Sequence, residues 1–232
     1  MGKNLRQQRR GKGPPGYRSP GFRYLGKVRY PIVPQQEGKV LDIIHAPGRR
    51  NPVALVEYAD KKTEYMIPAQ GVASGETLHF GTLQNGSVTD IGKIPEGTKI
   101  FNIEIVPGDG GRLCRTSGVS AMVISHDGNK TVVLLPSKKT KELLSACKAT
   151  VGIASAGGRT DKPFRTAGHK FHLMHALGKH YPHVRGVAQN AVNHPFGGKT
   201  RPGKHKSVSR SAPPGRKVGN IAARRTGKKK RS

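Results

Sequence analysis

Every carboxylate in this 232-residue chain lies between Glu37 and Asp161. Inside that window 15 basic residues face 13 acidic ones, whereas residues 1–36 carry nine Lys and Arg and residues 162–232 carry 18, with no acid at either end. A near-neutral centre can bury a core without repelling itself. Ends this charged and this poor in large apolar residues cannot offset their ordering entropy unless a polyanion neutralises them. The formal charge of +29 is therefore held almost wholly by two extensions of a small folded middle, the layout of a nucleic-acid-binding protein.

The middle reads as β structure. Residues 39–45, 53–58, 62–68, 76–80 and 98–106 are five short β-type runs, with Asp60-Lys61 as a hairpin turn and period-2 alternation at Asn102, Ile103, Glu104 and Ile105. Five strands in that length fit a small barrel of the OB kind, and a sandwich would read much the same. PGDGGR at 107–112 stops any regular element and reads as a linker; it lacks the Lys and the strand-to-helix setting of a phosphate-binding loop. Strands at 119–125, 131–135, 140–144 and 150–154, with a turn at Asp127-Gly128-Asn129, then suit an SH3-like barrel. The expected division is a basic extension at 1–34, an OB-fold domain at 35–106, an SH3-like domain with a short helix at 107–185, and a basic extension at 186–232.

The ends read as RNA-binding. Pro14, Pro15, Pro20, Pro31 and Pro34 deny the first a continuous helix, while Tyr17, Phe22, Tyr24 and Tyr30 stand among arginines as if to stack on bases. Arg6, Arg9 and Arg10 here, and Arg159, Lys162, Arg165, Lys170 and Arg185 past the second barrel, are expected to meet phosphate, as are Lys199, Arg201, Arg216, Lys217, Arg224 and Arg225 in the tail. His169, His172 and His175 spread over a third of a short helix, but no Cys or Glu joins them at ligand spacing, so no metal is expected. GVAQNAVNHPFGGKT at 186–200 has almost no core-forming material and needs an outside partner; Asn193 and His194 lie at its centre.

Other classes fit less well. The last carboxylate, Asp161, lies 33 residues before His194, so no acid–base pair is local to that loop and an enzyme is not expected. Cys114 and Cys147 form no C-x-x-C pair, which favours a reducing compartment, and the longest aliphatic run is too short for a bilayer, so the chain reads as cytoplasmic with no membrane partner. A free-standing RNA chaperone or tRNA-binding OB protein fits charge and barrels equally.

GGRTDKPF at 157–164, VRGVAQNAVNHPFGG at 184–198 and APPGRKVGNIAARRTG at 212–227 closely resemble the universal large-subunit ribosomal protein L2 family in its archaeal form, with PGDGG at 107–111 and CKAT at 147–150 also in place. The resemblance covers essentially the whole chain. It implies an OB domain, an SH3-like domain and RNA-clasping extensions near the peptidyl transferase centre and the subunit interface. It also implies large-subunit rRNA, other ribosomal proteins and the small subunit as partners, with Mg2+ only as rRNA-associated ions. The family's RNA-contacting arginines match Arg49, in APGRRNP, and Lys148, where relatives often have Arg; its functionally important histidine matches His194. Gln189 and Asn193 depart from the usual Met and acid, and Phe196 stands where bacterial relatives typically have a second histidine.

Overall fold

The computed structural model describes residues 4–31, 36–198 and 206–224. Two compact units divide the chain: Pro20–Lys170, and a second made from both termini, Met1–Ser19 with Phe171–Ser232.

In the central unit, β1 (Glu37–Ile44), β2 (Val53–Tyr58), β3 (Thr63–Met66) and β4 (Thr77–His79) form an antiparallel sheet in the order β3-β2-β1-β4. Branched residues make the pairing: Val40 lies opposite Val56 and both are fully buried, as β-branched side chains pack well on a pleated face. Lys61 takes a left-handed φ of 57° at the β2–β3 turn, where its N–H donates to the Tyr58 carbonyl. The second sheet holds β5 (Val88–Asp90), β6 (Lys99–Phe101), β7 (Ala121–Asp127), β8 (Lys130–Leu134), β9 (Thr140–Leu144) and β10 (Lys148–Val151) in the order β5-β10-β6-β7-β8-β9. Gly128-Asn129 closes the β7–β8 hairpin, with Asp127 paired to Lys130. The chain is thus mainly β with antiparallel sheets, consistent with an OB-type barrel followed by an SH3-like one.

Three sequence expectations change. The run at 98–106 is a strand only over Lys99–Phe101, because Asn102 turns to a φ of +50°, and that strand joins the second sheet instead of the first. Val88–Asp90, not anticipated, pairs with β10, so the sheets part between His79 and Val88. The glycine run at 107–111 is no linker: the Asp109 carboxylate accepts N–H bonds from Ile105, Val106 and Gly111, folding the run onto its own flank.

Among the described residues, every buried apolar side chain lies between Val28 and Ala154. One cluster sits under the second sheet around Ile91, Ile100, Ile103, Val123 and Val133; another lies under the first around Val40, Val56, Tyr58 and Met66. A third, with Phe101 at 0% exposure beside Val53, Ile67 and Ala154, draws on both sheets. Loss of a ring buried like Phe101 costs about 3–5 kcal/mol, so this joint stabilises the two sheets as one body. The first 34 residues are not wholly coreless: Val28 and Tyr30 are buried, Val28 bridges to Tyr65, and the Tyr30 hydroxyl donates to the Asn102 carbonyl at 2.5 Å and bonds Thr150 Oγ1 at 2.8 Å. Tyr30 is therefore a core residue and cannot stack on a base.

The terminal unit is built differently. It holds α1 (Arg6–Lys12), the last part of α2 (Ala167–Ala176) and a parallel pair, β11 (Ser207–Val208) with β12 (Asn220–Ile221). No apolar side chain is buried among its described residues. Its two chain segments meet through small contacts: Ser19 lies against Gly178 and Leu5 against Gly215, where a Cβ would stand 2.5 Å from the leucine methyl. Residues 1–19 carry six Lys and Arg, residues 171–232 carry 15, and neither has an acid. With no buried apolar side chain among its described residues and charge this dense, the unit is suited to an anionic partner.

Candidate nucleic-acid interface

Arg49 sits half-buried in the β1–β2 loop, where its Nη2 donates to the Gly26 carbonyl at 3.1 Å. Next to it, the Tyr24 ring lies so close to Gly48 that a Cβ there would stand 2.5 Å from ring carbons, and Gly48 holds a φ of +82°. The loop is thus fixed before any partner arrives. Burial lowers the Arg49 guanidinium from its ordinary pKa. Arg115 is affected likewise, first by burial and then by the positive charge of Arg49; its Nη1 and Nη2 donate to the carbonyls of Gly111 at 2.8 Å and Val28 at 2.7 Å. Among the described residues Arg49 has no carboxylate partner. A half-buried, preorganised cation of this kind is suited to phosphate or a base edge.

Lys148 opens β10 at the far side of the same glycine run. Its N–H donates to Glu104 Oε2 at 2.9 Å, and the Glu104 N–H donates back to the Lys148 carbonyl at 2.9 Å. Glu104 is 1% exposed, and its carboxylate also accepts from Gly108 at 3.2 Å and Gly110 at 3.0 Å. One buried carboxylate thus holds three backbone amides. Gly110 and Gly111 are required by proximity as much as by their positive φ: a Cβ would stand 2.7 Å from Arg29 Cβ at the first, and would overlap the Asn102 carbonyl at the second.

In the terminal unit, the His194 ring packs against Gly186 on one side, where no Cβ could fit, and its centroid lies 5.0 Å from that of Phe196. The Phe196 ring in turn lies on Gly219, 2.6 Å from where a Cβ would be. The Phe196 N–H donates to His194 Nδ1 at 3.0 Å, so the neutral ring carries its proton on Nε2. A backbone amide thus sets the tautomer, in a loop whose sequence holds no carboxylate. The Asn190 carbonyl accepts from Asn193 and His194, and Gly197 closes the loop with a bond to the His194 carbonyl.

The remaining expected contacts fall into both units. Lys162 and Arg165 are exposed after the second sheet, half-buried Arg159 donates to Ser117 Oγ at 3.2 Å, and Lys170 lies on α2. Arg9 and Arg10 are exposed on α1, which also carries Arg6; Arg185, Asn193, Arg216, Lys217 and Arg224 are exposed in the terminal unit. Lys199, Arg201 and Arg225 lie outside the described residues. His169, His172 and His175 are on α2 with Phe171 at 5.6 Å from His172 and 6.2 Å from His175, and among the described residues no three His, Cys, Asp or Glu side chains gather as a metal site. Burial pushes the Cys114 thiol up to about 11 and raises Cys147, so neither is a nucleophile near neutral pH.

Comparison with known proteins divides the chain between the two sheets. Residues 26–79 match the family model described as Ribosomal Proteins L2, RNA binding N-terminal domain, and residues 84–217 match Ribosomal Proteins L2, C-terminal domain. The chain belongs to the ribosomal protein L2 family. It is 48% identical to the large ribosomal subunit protein uL2 of Thermofilum pendens over 99% of this chain and 97% of that protein. It is also 48% identical to that of Methanococcus maripaludis, over 99% and 100%, and 47% identical to that of Haloarcula marismortui, over 98% of each. Arg49 falls in the L2 segment described as RNA-binding, and Lys148 and His194 in the C-terminal one. Sequence reading missed Arg115 and Glu104. Nothing local marks either one: Arg115 reaches 87 positions back to Val28, and Glu104 reaches 44 forward to Lys148.

Proposed function

We propose that this L2-family chain is a structural rRNA-binding protein of the large ribosomal subunit, cytoplasmic as part of the ribosome, with no catalytic group of its own. In this reading it sits near the peptidyl transferase centre, contacts neighbouring ribosomal proteins, meets the small subunit at the interface, and supports subunit association, tRNA binding and peptide-bond formation. The observation that carries it is the terminal unit: dense positive charge, no acid and no buried apolar side chain among its described residues, a surface that only a polyanion completes. Sedimentation of cell extract through high salt tests it. The chain should stay with large subunits, whereas release into the soluble fraction marks a free-standing RNA chaperone or tRNA-binding protein.

Arg49→Ala should weaken rRNA binding by about 1–3 kcal/mol, as expected for loss of a bidentate contact, with a smaller loss for Lys148→Ala. Filter binding measures both, and wild-type affinity in the double variant would remove them from the interface. Purified protein should carry no stoichiometric zinc; one tightly held ion lost on His172→Ala and His175→Ala overturns that expectation.

His194 acts in this reading by shaping the loop, not as a general base. Its Nδ1 lone pair is engaged by the Phe196 amide and its other nitrogen carries the proton, so the neutral ring offers no open lone pair. Subunits reconstituted with His194→Gln should form peptide bonds at a near-normal rate, while His194→Ala, which empties the space between Gly186 and Phe196, should impair assembly or subunit association. Complete assembly with loss of peptide-bond formation and of its pH dependence would refute the architectural role.

A further inference from the structure

Four flat side chains of the terminal unit touch in sequence. The Arg10 guanidinium carbon lies 5.9 Å from the Tyr17 ring centroid, Tyr17 stacks on His180 at 5.5 Å with 22° between planes, and His180 meets His183 edge to face at 5.6 Å. Tyr17 is half-buried with two of these planes already against it, whereas His180 and His183 are exposed. The sequence expectation that Tyr17 takes a base is therefore displaced outward, to the end of the row.

An apolar core does not explain the cluster, since no apolar side chain is buried among the described residues around it and the unit has no acid to pair with Arg10. Exposed π faces set in a cationic, acid-free surface are the composition by which single-stranded RNA is held: phosphates are neutralised nearby and each unpaired base rests on a ring. We infer that His183, braced by His180, Tyr17 and Arg10, is a stacking platform for one unpaired base of single-stranded RNA. Stacking is indifferent to base identity, so the platform is tolerant of sequence, and it excludes duplex RNA, whose bases are already stacked. The inference rests on the rRNA-binding reading above and adds to it the kind of RNA element met at this place.

The test uses the full chain with a short single-stranded RNA carrying one 2-aminopurine, whose fluorescence is quenched on stacking, and a duplex of the same sequence. His183→Ala should lower affinity for the single strand by about five- to 150-fold, the range for losing one base–aromatic stack, and restore fluorescence. Duplex affinity should not change, and His183→Phe, which keeps a ring and removes the imidazole, should restore single-strand binding. Unchanged single-strand affinity in His183→Ala, an equal loss for the duplex, or failure of His183→Phe to rescue overturns the platform while leaving rRNA binding intact. A wild-type chain that binds neither RNA at low salt overturns both readings. Circular dichroism of His183→Ala matching the wild type assigns the loss to the exposed ring and not to the fold.

Discussion

A chain ending at Lys170 should fold normally and bind large-subunit rRNA roughly a thousandfold or more weaker at moderate salt, with a much flatter salt dependence. The cut removes 15 Lys and Arg and no acid. If about half of these neutralise phosphates, the slope of log affinity against log salt falls by about five to seven units, because each contact contributes a little under one. Folding should survive, since every buried apolar side chain among the described residues lies between Val28 and Ala154, inside the central unit. The matching cut at the N-terminus belongs after Ser19. Removing residues 1–34 would also take Val28 and the buried Tyr30 hydroxyl from the core, and would confuse lost charge with lost packing. Filter binding across a salt series and a thermal melt followed by circular dichroism check both halves of the expectation. An unchanged slope, or loss of the cooperative melt, would end the division of labour between a folded middle and binding ends.

That division was legible in the sequence because charge is additive: the span from Glu37 to Asp161 can be seen without knowing any contact. Most strands were legible for a related reason, since short β-type runs and the turns at Asp60-Lys61 and Gly128-Asn129 are local signals, whereas the alternation at 102–105 lies past the end of β6. What remained hidden depends on partners distant along the chain. Tyr30 looked like its neighbours Tyr17 and Phe22, yet its hydroxyl meets groups 72 and 120 positions away, and it is buried while Phe22 is 86% exposed. The glycines of 107–111 misled for another reason. In a sequence, glycine signals freedom; in this fold Gly110 and Gly111 are places where the missing Cβ admits Arg29 and Asn102. The candidate site followed the same rule: Arg49 and His194 could be named from their motifs, but the Gly26 carbonyl and the Phe196 amide that fix them could not.

Glu104→Ala is expected to damage the fold as much as loss of a buried core ring, by about 3–5 kcal/mol. The carboxylate accepts N–H bonds from Gly108, Gly110 and Lys148, and it is 1% exposed, so water cannot easily replace it. Each buried amide left without an acceptor costs about 1–3 kcal/mol, and three are released together. Glu104→Gln separates hydrogen bonding from volume: one side-chain oxygen still accepts, but the amide nitrogen now points donors at donors, so it should lose about 2–3 kcal/mol with almost no change in size. The damage should also reach function. Gly110 rests on Arg29, Arg115 ties Gly111 to Val28, and Glu104 exchanges backbone bonds with Lys148, so loosening the glycine run frees the strand that presents Lys148 and the segment beside Arg49. Glu104→Gln should therefore bind rRNA more weakly under conditions where it is still fully folded, although the side chain at 104 is 1% exposed and out of reach of RNA. Urea denaturation and filter binding on the same samples measure the two effects. A Glu104→Gln variant within about 0.5 kcal/mol of the wild type would mean that the three amides find other acceptors, and that the glycine run is held in place by packing on Arg29 and Asn102 alone.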